Sequence, residues 1–446
     1  MRVILAGRFR QSGADRGRLR AFAGHDIEAT FLTQTQGRIV VRRRYRCRLG
    51  GAGRRQAGEQ ATDANSKRSS RKTGHRGNQR RAGTGTAGAR VLKSGHFTLN
   101  LSRPMFPQVP RDQLVTGWVA SRFPNQAVGI APASTDASFR RYFRLTWPDG
   151  ATRILMDAPP DREDCRPFIQ VAGLLAKAGL AAPRVLDQDL ENGFLVLTDL
   201  GRISYLDALN ADLSLADLLI RPVLDVLVKW QLSSTAATLP PYDAPLLRRE
   251  LDLFPEWFIG RHLGLQLDND EKLKLDRSFK YLINAALAQP KVFVHRDFMP
   301  RNLMLVESAE RLTPGIIDFQ DAVCGPITYD LVSLFRDAFI SWDEEQEIDW
   351  VVRYWEKARA AGLPVREDFG AFWREYELMG LQRHLKVLGI FCRLKYRDGK
   401  DKYIDDLPRF MTYAKKTASR YVPLKPLLNL LDKLDGKTEQ IGYRYQ

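Results

Sequence analysis

The apolar positions of this chain keep no steady period over most of residues 1–104, a stretch rich in Arg, Gly, Ala, Ser, Thr and Gln. Such a stretch cannot bury enough apolar surface to offset its ordering entropy, so it is expected to be a low-complexity segment without a packed core. A helical period begins at Asp112–Phe123, a short amphipathic helix. Ala131–Leu145 reads as a strand, a turn of small residues and a second strand, and Arg153–Asp157 as a third. Asp164–Ala178 puts Phe168, Val171, Leu174 and Leu175 on one helical stripe that Gly179 ends. Strands follow from Pro183 and over Gly193–Leu200. Beyond residue 200 the helical period dominates, over Leu215–Thr235, Leu246–Leu263, Leu273–Leu287, Leu331–Ile340, Glu347–Ala361, Asp368–Arg393 and Asp406–Ala418. Strands first and helices afterwards predict an α+β protein of two lobes. The smaller, over residues 105–200, is built on an antiparallel sheet; the larger, over 201–446, is mainly helical.

Charge sharpens this division. The net formal charge of +17 would suggest a polyanionic partner, but residues 1–104 hold 24 Lys and Arg against 5 Asp and Glu, a net of +19. The remaining body is close to neutral, and no nucleic-acid partner is expected for residues 105–446. The basic head reads as a nucleic-acid-binding arm, a targeting peptide, or upstream sequence that is not translated. The abrupt change to globular composition at Met105 favours the last, with translation expected to begin at or near that residue. Cys47, Cys165, Cys324 and Cys392 lie far apart with no C-x-x-C pair, which fits a reducing cytoplasm and no zinc knuckle. No apolar run reaches the length of a membrane span.

The candidate chemistry lies in VFVHRDFMPRNLML, residues 292–305, and GIIDFQDA, residues 315–322. An apolar run delivers His295-Arg296-Asp297, four residues precede Asn302, and a second apolar pair delivers Asp318. This is the order of parts a phosphoryl-transfer site requires: a carboxylate base, then two oxygen ligands for Mg²⁺ on the phosphates of ATP. Asp297 is the candidate base, Asn302 and Asp318 the candidate metal ligands. His295 is expected to brace the loop and Asp330 to anchor its backbone N–H groups. Around Ser134 and Thr135 the small-residue turn either covers ATP phosphates or is a plain hairpin turn. Thr198-Asp199 stands where a hinge would present backbone groups to adenine, though Asp199 reads equally as a helix N-cap. A kinase ordinarily carries a phosphate-binding Lys on the third strand, and here Met156 occupies the place. Arg336 and Asp337 would reach the acceptor if their helix lines the cleft; the other reading is an ion pair within one helix.

HRDFMPRNLML and IIDFQDAVCGPITYDLVSLFRD resemble the aminoglycoside phosphotransferase/choline kinase superfamily. Together with STDASFRRYFRL, ILMDAPP, VLTDLG, RELDLFPEWFIGRHLG and LQRHLKVLGIFCRLKYRDGKDKYIDDLPR, they are most similar to the anomeric kinases of cell-wall recycling. The resemblance spans about Met105 to Val422 and implies a protein-kinase-like fold, ATP and Mg²⁺ as cofactors, and an amino-sugar acceptor phosphorylated at its anomeric hydroxyl. These kinases also lack the usual Lys, so Met156 does not imply a silent enzyme. Aminoglycoside, choline, homoserine and ketosamine acceptors remain alternatives, as does an ATP-binding scaffold without activity. A cationic acceptor would need a cluster of carboxylates, which the C-terminal helices do not supply.

Overall fold

The computed structural model describes residues 3–9, 26–35, 38–48, 110–134, 139–235, 238–307 and 312–436. In the head, β1 (Val3–Phe9), β2 (Asp26–Thr35) and β3 (Arg38–Arg48) pair antiparallel in that order. Backbone pairing thus runs through part of the segment expected to lack regular structure, along the β-branched stretches ATFLT and RIVV.

The small lobe opens with α1 (Arg111–Arg122) and is built on β4 (Gly129–Ser134), β5 (Arg141–Thr146), β6 (Thr152–Asp157), β7 (Val185–Asp189) and β8 (Phe194–Thr198). These form an antiparallel sheet of order β4-β5-β6-β8-β7. Side chains alternate across a strand, so β8 sends Phe194 and Val196 to one face and Leu195 and Leu197 to the other. The first pair packs with Val115 and Val119, one turn apart on α1, and the second with Phe168, Val171 and Leu175 of α2 (Arg166–Lys177). Both faces of β8 are covered, which is why FLVL reads as an unbroken apolar run.

The hinge is locked by charge. Arg144 Nε donates to Asp199 at 2.6 Å, and its Nη2 donates to Asp199 at 3.0 Å and to the Gly201 carbonyl at 2.7 Å. Beyond it come α3 (Tyr205–Ala211), α4 (Ala216–Leu232), α5 (Ala244–Leu253) and α6 (Asn269–Leu287). Two two-stranded antiparallel sheets follow: β9 (Lys291–Val294) pairs with β12 (Val323–Pro326), and between them β10 (Leu303–Glu307) pairs with β11 (Leu312–Ile316). The chain closes with α7 (Tyr329–Phe335), α8 (Glu344–Ala360), α9 (Phe369–Asp398), α10 (Leu407–Arg420) and α11 (Lys425–Leu434). The 30 residues of α9 make a rod of about 45 Å that α5, α6, α7 and α10 surround, so it is buried nearly all round. Among the described residues no helix is long and apolar enough to cross a membrane.

Two expectations need correction. The pattern over Leu246–Leu263 is α-helical only as far as Leu253 and continues as a π-helical segment, Phe254–His262. The helix expected over Leu331–Ile340 ends at Phe335, because the Asp337 carboxylate captures the backbone N–H groups of Phe339 (2.9 Å) and Ile340 (3.0 Å).

Candidate active site

β9 is apolar and buried at Val292, Phe293 and Val294, and it feeds the loop 295–302 directly out of the core. Arg296 takes φ +77°, a left-handed conformation that a long side chain adopts only when its surroundings impose it. Buried Asp330, at the start of α7, accepts from the N–H groups of His295 (2.7 Å) and Arg296 (2.9 Å). Ser333 donates to the Arg296 carbonyl at 3.1 Å, and the Arg296 guanidinium pairs with Glu250 of α5. Burial raises the Asp330 carboxyl to about 7, against the two N–H groups that favour its ionised form.

His295 ties the two functional loops together. Its Nε2 donates to the Ile317 carbonyl at 3.0 Å, while Nδ1 accepts from the Asp297 N–H at 3.2 Å. Burial lowers this imidazole to about 4, outweighing the nearby Asp297 and Asp321 charges. It is a neutral brace whose tautomer is fixed by its partners.

Asn302 joins the loops a second time. Its Nδ2 lies 2.9 Å from the Asp297 carbonyl and 3.3 Å from Asp318 Oδ2, and Ile317 N–H returns to the Asn302 carbonyl at 3.1 Å. Asp318, at φ +64°, also accepts from Gln320 Nε2 at 2.9 Å. Asp297, Asn302 and Asp318 line one cavity of about 630 Å³. Asn302 Oδ1 and the Asp318 carboxylate are hard oxygen donors, the type Mg²⁺ takes. Among the described residues no group of three or more His, Cys, Asp or Glu side chains could hold a metal. Two oxygens nevertheless suit Mg²⁺, which keeps waters and substrate phosphates instead of a full protein cage.

Thr198, Asp199, Arg336 and Asp337 lie outside this cavity lining. Ser134 is the last residue of β4, and Thr135 lies outside the described residues. Thr198 Oγ1 accepts the Arg184 N–H at 2.9 Å, and Asp199 is spent on Arg144, so this carboxylate secures the hinge. Arg336 and Asp337 do not line the cavity. With α7 ending early, Arg336 turns into the interior, donates to Glu347 at 2.5 Å and stacks 4.8 Å from the Tyr376 ring. Asp337 is 1% exposed and serves the turn described above.

Sequence reasoning missed Glu250, Arg140 and Lys386. Glu250 is gripped by Arg296, by Lys386 at 2.9 Å and by Tyr242. Burial opposes its charge, yet Lys386 and Arg296 bring it down to about 2. Arg140 pairs with Glu163 at 2.7 Å on the small-lobe rim of the cavity, while Met156 is fully buried in the core. Arg383 and Lys386, from the middle of α9, form the opposite wall. The available signal was charge on a stripe that should be apolar: Glu250 between Leu247 and Leu251, and Gln382 to Lys386 within the buried length of α9.

A strand-based lobe above a helical one, with the loops of Asp297 and Asp318 joined by one asparagine, has the arrangement of a kinase-type phosphotransferase. The model of the phosphotransferase enzyme family (APH) matches residues 129–369. An N-acetylmuramate/N-acetylglucosamine kinase of Pseudomonas aeruginosa is 52% identical over 70% of this chain and 90% of its own length. One of Neisseria meningitidis is 47% identical over 74% of this chain and 97% of its own. A solved choline kinase of Cryptosporidium parvum, 12% identical, superposes with a TM-score of 0.49 over 72% of this chain and 99% of its own. The chain belongs to the phosphotransferase enzyme family. It is an ATP-dependent kinase.

Proposed function

We propose that the protein transfers the γ-phosphoryl group of ATP to the anomeric hydroxyl of N-acetylmuramate or N-acetylglucosamine, in cytoplasmic recycling of the cell wall. The observation that carries the chemistry is the Asn302 amide, within hydrogen-bond reach of both the Asp297 loop and the Asp318 carboxylate. The acceptor class is supported by the relatives and by the cavity's charge. The wall that α9 contributes carries Arg383, Lys386 and Arg393, with Phe391 among them, and no carboxylate. The acids of the cavity, Glu163, Asp297, Asp318 and Asp321, all lie on the loops or the small-lobe rim. Such a pocket suits a neutral or anionic sugar and opposes a polycationic aminoglycoside or choline.

In this reading Asp297 accepts the proton of the sugar hydroxyl as its oxygen forms a bond to the γ-phosphorus, the bond to the β,γ-bridging oxygen breaks, and ADP leaves. Asn302 and Asp318 would hold Mg²⁺, which neutralises phosphate charge when bound. Arg140, steadied by Glu163, supplies the phosphate-side cation that other kinases take from the third strand. The free thiols of Cys165, Cys324 and Cys392 agree with a reducing compartment.

The test is ADP release over a panel of N-acetylmuramate, N-acetylglucosamine, an aminoglycoside and choline, with ³¹P NMR to locate the product phosphate. Expected are 1-phosphates of the amino sugars, and turnover lost by at least about 1,000-fold in Asp297→Asn with folding intact. Phosphorylation of choline or the aminoglycoside in place of the sugars would refute the assignment.

A further inference from the structure

Arg383 sits on the cavity wall as a buried charge that no ion pair among the described residues closes. It is 4% exposed and lines the cavity that holds Asp297. Among the described residues it makes no ion pair, and its hydrogen bond to the Arg336 carbonyl is long, at 3.5 Å. Lys386 on the same wall differs: it is held by Glu250 at 2.9 Å and by the Tyr329 hydroxyl at 3.0 Å. The buried carboxyls whose charge it feels, Asp330 and Asp337, are committed to backbone N–H groups, and burial raises them to about 7 and about 6. A guanidinium removed from water without a paired carboxylate is costly, and the cavity is where an anion can reach it.

Resting on the functional reading above, we propose that Arg383 is the carboxylate receptor of the acceptor site, pairing with the lactyl group that N-acetylmuramate carries and N-acetylglucosamine lacks. The planar guanidinium matches a carboxylate with two parallel N–H···O bonds, and its burial makes each bond stronger than it would be in water. Discrimination between the two sugars then rests on this contact, while Asp297 and the nucleotide serve both alike.

The experiment compares steady-state kinetics for both sugars in the unmodified protein, Arg383→Met and Arg383→Lys, and for N-acetylmuramate methyl ester in the unmodified protein. In Arg383→Met the ratio of kcat/KM for the muramate to that for the glucosamine should fall by about 100-fold, chiefly through KM. Arg383→Lys should recover part of it, because an ammonium keeps the charge but not the fork. In the unmodified protein the ester should lose a similar factor relative to the free acid. Equal losses for both sugars in Arg383→Met would assign Arg383 to phosphoryl transfer or to scaffolding and overturn the proposal. If that variant does not fold, the ester arm decides, and equal constants for acid and ester overturn it. Unmodified protein that phosphorylates neither sugar overturns the functional reading and this inference with it. Protein that phosphorylates both sugars but does not separate acid from ester overturns this inference alone.

Discussion

At the residue scale, the site works because strained or buried groups are held from several sides. His295 and Asp330 touch through one backbone N–H, and their proton affinities are displaced in opposite directions. His295 is lowered from 6.5 to about 4, so the unfolded chain binds the extra proton between those values. Its contribution to stability is present above pH 6.5 and is lost as pH falls toward 4. Asp330 is raised from 3.8 to about 7, so its contribution is full below 3.8 and is lost as pH rises through 7. Between pH 4 and 6.5 the two slopes oppose each other. Asp330→Asn removes one slope, and stability of that variant should fall by up to ~3 kcal/mol as pH drops from 6.5 to 4. Chemical denaturation at several pH values checks this; parallel curves for parent and variant would rule it out. Arg140→Met should raise KM for ATP by about tenfold while moving KM for the sugar little, as loss of one charge-assisted hydrogen bond requires. A change confined to the sugar KM would place Arg140 on the acceptor side.

At the scale of elements, α9 matters most, because both its packing and its cavity wall depend on close approach to α5. Gly389 makes that approach possible: a Cβ there would lie 2.4 Å from the Leu253 carbonyl carbon and oxygen. Gly389→Ala should therefore destabilise the protein by roughly 1–3 kcal/mol, read from the denaturant midpoint. Gly117, on the exposed side of α1 with nothing within 4 Å, is the contrast. The same substitution there should stabilise by up to about 1 kcal/mol, since only helix propensity changes. The helix periods over Leu215–Thr235, Leu273–Leu287 and Glu347–Ala361 lie close to α4, α6 and α8, because one face of each is buried. The end of α7 was not legible, since a helical apolar stripe does not reveal that Asp337 captures the following N–H groups.

At the scale of the whole molecule, the two lobes meet where Phe168 of α2 packs on Phe319, at ring centroids 4.7 Å apart. Phe319 directly follows Asp318, so the small lobe's helix is mechanically connected to that carboxylate. Every described residue lining the cavity lies between Arg140 and Phe410, and the basic head contributes none. A chain lacking residues 1–104 should keep kcat/KM within about twofold and its denaturant midpoint unchanged. A larger loss would give the head a part in the kinase body.

The sequence by itself determined the strand-to-helix order and the two loops that carry Asp297 and Asp318, because those signals are local: apolar periods and residue spacings survive without knowledge of distant contacts. Tertiary structure alone decided which charges face the cavity. Arg336 and Arg383 both lie within apolar helical patterns, and only the early end of α7 and the central burial of α9 send one to Glu347 and the other to the cavity wall. The same holds for Glu250, whose charged partners arrive from the Asp297 loop and α9, 46 and 136 residues away. Spacing cannot encode such meetings, since burial of a charge is set by the elements that surround it.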